Sequence, residues 1–197
     1  MIATGPIEAF FKPPTEAASA EGDCLLYHLR TDLESLYGSE TTRSSVSPSH
    51  ALLATTGILN GIDYLSQVYS TKKTQRERFS ETLHGLLGLA VSDAEALYQL
   101  RCALVHQVGL SVVSRSYKKG TRFIFGLSDD ATGAVISCMS TSSVESVYTV
   151  GFWKLKGAFV ALVNALRQVC EDPGHSDNAK VVNGVGKMHS EKILKRG

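Results

Sequence analysis

The sequence predicts a mainly α fold, a bundle of about five helices with one small antiparallel β-hairpin between the fourth helix and the last. Three observations lead there. Apolar residues recur at three- and four-residue spacing through most of residues 22–108. The period falls to two over TRFIFGL (121–127), and the helical period returns in FWKLKGAFVALVNALRQVCED (152–172). A 3.6-residue period lays one helix face on a core, and a two-residue period does the same for a strand.

The first predicted helix covers 22–37, where Leu25, Leu26, Leu29, Leu33 and Leu36 share a face and Gly38 follows as a stop. SETTRSSVSPS is a loop by composition, and Ser47 with Pro48 makes an N-cap and first-turn pair for a second helix. That helix carries Leu52, Thr55, Ile58, Leu59, Ile62, Leu65 and Tyr69 on one stripe. Its Gly57 and Gly61 lower helix propensity by about 1 kcal/mol each against Ala, a cost that close approach of another helix can offset. A third helix spans 75–90 with Phe79, Leu83, Leu86 and Leu87 inward. Ser92 and Glu95 have capping-box spacing and open a fourth helix, with Leu97, Leu100, Leu104 and Val108 on its apolar face and Gly109 at its end. TRFIFGL then pairs with AVISC (134–138) across the turn-like SDDATG, and SVYTV (146–150) adds a short strand. Residues 1–20 read as an N-terminal arm, 21–170 as the helical domain and 171–197 as a flexible C-terminal tail.

Composition narrows the function classes. A length of 197 residues suits one domain, and a net charge of +1 excludes a dominant global attraction to nucleic acid or membrane, leaving local basic patches. No apolar run approaches the roughly 20 residues of a membrane helix, and the N-terminus lacks the basic leader and apolar stretch of a secretory signal. Cys24, Cys102, Cys138 and Cys170 form no C-x-x-C pair, so reduced thiols in a cytoplasmic protein are expected, with no metal and no cofactor.

The chemistry concentrates in LYQLRCALVHQV (97–108), which carries Arg101 and His106 on an otherwise apolar helix. Five positions turn about 500°, leaving the two side chains about 140° apart. A guanidinium suits phosphate geometry, and an imidazole exchanges protons near neutral pH. Together they can break RNA without a metal: the His moves the proton of the 2′-OH or of the leaving 5′-oxygen, and the Arg stabilises charge on phosphorus oxygens. The plainer reading of the pair is a rim Arg and a satisfied core His.

The phrase ALYQLRCALVHQVGL resembles the motif of the HEPN family (higher eukaryotes and prokaryotes nucleotide-binding), an Arg and a His with four to six residues between them, late in a helical bundle. Arg101 and His106 match, with Leu97, Leu100, Leu104 and Val105 in the apolar places; ILNGIDYLSQVY and RFSETL look like the preceding helices, and the resemblance covers roughly 45–170. It implies a homodimer with two motifs at a shared cleft. It also implies RNA binding, and in many members metal-independent endoribonuclease activity within toxin–antitoxin, defence or RNA-processing systems. An antitoxin or a nucleotidyltransferase is the implied protein partner, and other members are non-catalytic scaffolds or nucleotide binders. This chain departs from the pattern at Cys102, where catalytic members commonly carry Asn or Asp; a thiol does not offer the same hydrogen bonds.

Around the motif, Asn60 and Asp63 are polar groups flanked by apolar ones on the second helix, and Asp63 either pairs with Arg101 and orients it or takes a plain surface position. RSYKKGTR sets Arg115, Lys118, Lys119 and Arg122 around Tyr117, either an RNA-backbone cluster with a stacking ring or a solvated turn. His84 has no motif context. NGVGKMHSEKILKRG lacks P-loop spacing, and its Lys187, Lys192, Lys195 and Arg196 form a basic end.

Overall fold

The computed structural model describes residues 6–12, 25–37, 48–107, 109–115, 118–128 and 133–190. Within them lie seven helices: α1 (Pro6–Phe10), α2 (Leu25–Tyr37), α3 (Pro48–Tyr69), α4 (Gln75–Leu87), α5 (Val91–His106), α6 (Phe152–Glu171) and α7 (Asn178–Ser190). Four strands, β1 (Ser111–Val113), β2 (Arg122–Ser128), β3 (Ile136–Thr141) and β4 (Glu145–Gly151), fall between α5 and α6. Ser47, the expected cap of α3, lies outside the described residues, as do Cys24, Val108, Tyr117, Lys192, Lys195 and Arg196.

Helix α3 is the hub and touches α2, α4, α5, α6 and α7. Thr55, Ile58, Leu59, Ile62 and Leu65 along it are wholly buried. The close approach expected of its glycines is realised at Gly61, where a Cβ would stand 2.5 Å from Leu29 Cδ2 and 2.8 Å from Phe159 Cε2. The missing side chain lets Leu29 of α2 and Phe159 of α6 both pack against the α3 backbone there. Helix α4 begins with a complete capping box: Glu77 N–H donates to Thr74 Oγ1, and Thr74 N–H donates to Glu77 Oε2.

The expectation of about five helices and one antiparallel hairpin is corrected in both parts. Two further helices, α1 and α7, come from segments whose composition reads as arm and tail. Helix α7 is anchored by Val181 and Val185, both wholly buried, and by Gly184, whose missing side chain admits the backbone of Val68. The β region is a four-stranded mixed sheet of order β1-β2-β4-β3. TRFIFGL and AVISC do not pair; β2 runs parallel to β4, with Phe123 beside Ser146 and Phe125 beside Tyr148, while β3 pairs antiparallel on β4's far side. Burial explains the swap. Strand β4 alternates cleanly, and its Tyr148 ring stacks 5.9 Å from both Phe123 and Phe125. The segment at β3 is exposed beyond Ile136, so it belongs at an edge.

The start of α5 also differs from expectation. Its N-cap is Ala90, with no side-chain cap, because Glu95 turns inward. There it accepts from Arg76 Nε at 2.7 Å and Ser80 Oγ at 3.0 Å, clamping α5 to α4. A carboxylate with one half-buried charged donor and one buried hydroxyl is better satisfied than one at an exposed helix end.

Candidate functional site

Helix α5 places chemistry on two sides. Toward α3, the Arg101 Nη2 donates to Asp63 Oδ2 at 3.0 Å, and both side chains are about nine-tenths buried. Gln75 Nε2, from the first residue of α4, donates to the same oxygen. The Tyr98 hydroxyl donates to Gln75 Oε1 at 3.4 Å and shares a hydrogen bond with the Cys102 thiol. One buried polar chain thus ties α3, α4 and α5. It leaves Asp63 Oδ1 and Arg101 Nε without hydrogen-bond partners among the described residues. Each such atom costs on the order of 1–3 kcal/mol.

On an adjoining face, shared at Tyr98 and Cys102, α5 forms one wall of a groove of about 630 Å³, with β1 and the residues after it as the facing wall. Tyr98, Gln99, Cys102, His106 and Gln107 line it from α5, and Val112, Val113 and Arg115 line it from β1 onward. The volume lies within the range of roughly 300–1,000 Å³ common for ligand sites. His106 is exposed, at the last residue of α5, and lines the groove with no hydrogen bond to any described residue. Arg115 is exposed across from it, also without an ion-pair partner among the described residues.

The two motif residues are therefore not brought together within one chain. Arg101 is outside the groove lining, engaged with Asp63, whereas His106 is in it. Their separation of about 140° around the helix accounts for this, since Arg101 meets Asp63 of α3 while His106 falls on the groove face. The cation that accompanies His106 is Arg115.

Burial holds the Tyr98 hydroxyl up, to about 12, with the neighbouring Cys102 adding to the effect. It also pushes the Cys102 thiol above its ordinary value, only partly opposed by the Tyr98 hydrogen bond and the Arg101 charge. Cys102 is accordingly a neutral thiol at physiological pH, a packing and hydrogen-bonding group without nucleophilic character.

The basic cluster is exposed, with Arg115, Lys118, Lys119 and Arg122 all on the surface. A tight turn fixes it. Lys118 has φ 45° and Gly120 φ 84°, Gly120 N–H donates to Ser114 O at 2.9 Å, and Thr121 N–H donates to Lys118 O at 2.9 Å. Left-handed backbone is costly for Lys and free for Gly, so Lys118 holds strain that Gly120 does not. Arg122 sits opposite Val113 in the β1–β2 ladder and beside Glu145 in the β2–β4 ladder.

Asn60 and His84 are exposed; His84 Nδ1 meets the Leu89 carbonyl at 2.7 Å, closing the end of α4. Lys187 is exposed on α7. Sequence reading did not single out Tyr98, Gln99, Gln107, Val112 and Val113 as site residues. A signal was present in the i, i+4, i+8 spacing of Tyr98, Cys102 and His106, which sets three polar groups on one face. Among the described residues no group of three or more His, Cys, Asp or Glu can hold a metal ion, and no helix is long and apolar enough to cross a membrane.

Comparisons with protein-family models, with curated proteins and with solved structures find no match to this chain.

Proposed function

We propose that the protein binds single-stranded RNA along the α5–β1 groove, with His106 and Arg115 meeting a phosphodiester at its mouth. The observation that carries this reading is the convergence of an exposed imidazole and an exposed guanidinium on one cavity, next to the basic turn of Lys118, Lys119 and Arg122. A guanidinium fits two phosphate oxygens, and an adjacent run of cations extends the contact along the backbone. The net charge of +1 makes this attraction local.

Metal-independent cleavage is the activity such a pair supports. His106 takes the proton of the 2′-OH, the oxygen attacks phosphorus, and the 5′-oxygen leaves with a proton from water. The products are a 2′,3′-cyclic phosphate and a 5′-hydroxyl, and Arg115 offsets the charge on the non-bridging oxygens. One chain supplies both groups; a homodimer pairing two His106 faces, as the motif resemblance implies, would lengthen the bound track.

A second reading is binding without cleavage. It is favoured by the engagement of Arg101 with Asp63, which removes the motif guanidinium from the substrate side. Incubation of the protein with labelled single-stranded RNA in EDTA, beside His106→Ala, separates the two. Cleavage lost in the variant supports catalysis. Retarded but intact RNA supports binding alone. RNA that is neither shifted at low salt nor cut rejects both.

A further inference from the structure

Gln99 occupies a position that packing alone does not explain. It sits on α5 between Leu97 and Leu100, both wholly buried, and is itself only 3% exposed. Its carboxamide makes no hydrogen bond to any described residue. Nor is it among the polar atoms sealed off from solvent without a partner, so its amide opens to the groove that it lines. An amide with almost no exposure and no protein partner adds nothing to the fold that Leu or Met, filling the same space, would not supply by packing alone. A buried amide directed into a cavity is a recognition group awaiting a partner.

The chemistry of that partner follows from the amide and its surroundings. A carboxamide presents one acceptor and two donors side by side, the complement of a planar edge that itself offers an adjacent donor and acceptor. Nucleobases have such edges, and an Asn or Gln amide pairs with them bidentately. Val112 and Val113 give the cavity apolar walls for a flat ring. Gln99 and His106 are seven residues apart, about 10 Å along the helix axis, a span on the scale of one nucleotide from base to phosphate.

We propose that Gln99 is the base-reading residue of this groove, holding one nucleobase by its edge while His106 and Arg115 hold the attached phosphate. This rests on the RNA-binding reading above and adds to it a specificity determinant inside the cavity. The pocket takes a nucleoside monophosphate unit, and the ribose phosphate alone leaves the Gln99 amide unpaired.

The test is calorimetric titration of the full chain with AMP, GMP, CMP, UMP and ribose 5-phosphate, for wild type, Gln99→Met and Gln99→Glu. Wild type binds at least one of the four mononucleotides about five- to a hundredfold more tightly than ribose 5-phosphate. Gln99→Met, which keeps the volume, brings that ratio close to one. Gln99→Glu replaces the donors by acceptors and moves the ratio of GMP to AMP affinity toward GMP, because guanine offers two adjacent donors on its Watson–Crick edge. The added negative charge weakens both nucleotides alike and cancels in the ratio. Equal binding of ribose 5-phosphate and the mononucleotides by wild type overturns the base pocket, as does an unaltered ratio in both variants. Either result leaves RNA binding through His106 and Arg115 standing. RNA held with no mononucleotide bound also overturns the pocket, and loss of RNA binding altogether overturns both readings.

Discussion

The two polar ends of α5 obey different rules. At Arg101 the charge is buried and matched by Asp63, whose same oxygen also accepts from Gln75, and its surroundings are three packed helices. At His106, little more than one turn later, the ring is exposed on a groove and unpaired among the described residues. The first end has its polar demands largely met inside the fold. The second has polar capacity left for something outside. Sequence proximity within a motif therefore does not confer a shared role; the helix period decides which neighbour each side chain meets.

The sharpest way to break this contrast is to unpair the buried end. Arg101→Ala or Asp63→Ala strands a charge in the interior and costs about 3–5 kcal/mol of stability in urea unfolding. A loss no larger than that of an exposed position would show that the pair is not a structural clamp. Replacing both partners together, as Asp63→Leu with Arg101→Met, removes the charges along with their two unmet atoms. The double variant is expected to lose less than either single alanine variant, a comparison that a thermodynamic cycle reads directly.

At the open end the stability effects shrink. His106→Ala and Arg115→Ala each stay within about 0.5 kcal/mol of wild type in the same unfolding measurement. Their effect appears in binding instead. Arg115→Ala lowers the dependence of log affinity for single-stranded RNA on log salt by about 0.7, the signature of one lost phosphate contact. An unchanged slope would place Arg115 away from the backbone.

Alkali offers the gentlest probe. Tyr98 and Cys102 both have values raised by burial, so the folded state favours their protonated forms. That contribution is complete at neutral pH and is lost as the pH climbs from 10, the ordinary tyrosine value, toward about 12. Tyr98→Phe should flatten the decline in melting temperature across this window. A decline as steep as that of wild type would assign the alkaline sensitivity to other groups. Thiol reactivity gives a parallel readout: exposed Cys138 reacts with an alkylating agent before half-buried Cys102.

Much of the helical framework was legible because long apolar stripes fix a helix wherever it packs. The stripe from Thr55 to Leu65 is such a case. The pairing of Asp63 with Arg101 was only half legible, because a polar residue flanked by apolar ones fits a surface position as well as a buried ion pair. The sheet was not legible in the same way. Two strands adjacent in sequence invite a hairpin, but the stacking of Tyr148 on Phe123 and Phe125 draws β4 into the centre and displaces β3 to the edge. Three-residue β1 is too short to show a period, and it supplies half of the groove. Helix α7 hid behind a polar composition because Gly184 replaces one apolar anchor with a backbone contact. The capping box was read one helix too late: Ser92 and Glu95 have the spacing, but Arg76 and Ser80 outcompete a helix end for the Glu95 carboxylate.

Strand β4 passes into α6 without an intervening residue, Gly151 ending one and Phe152 beginning the other. The sheet that carries one wall of the groove is thereby spliced to a helix packed against α3, and the other wall is α5, clamped to α3 and α4. A guest entering between them finds a socket of set width and spends little of its contact energy on shaping the host. A site of this build would discriminate by shape at the first encounter, and its selectivity would be tuned by exchanging the lining side chains while the frame stays the same.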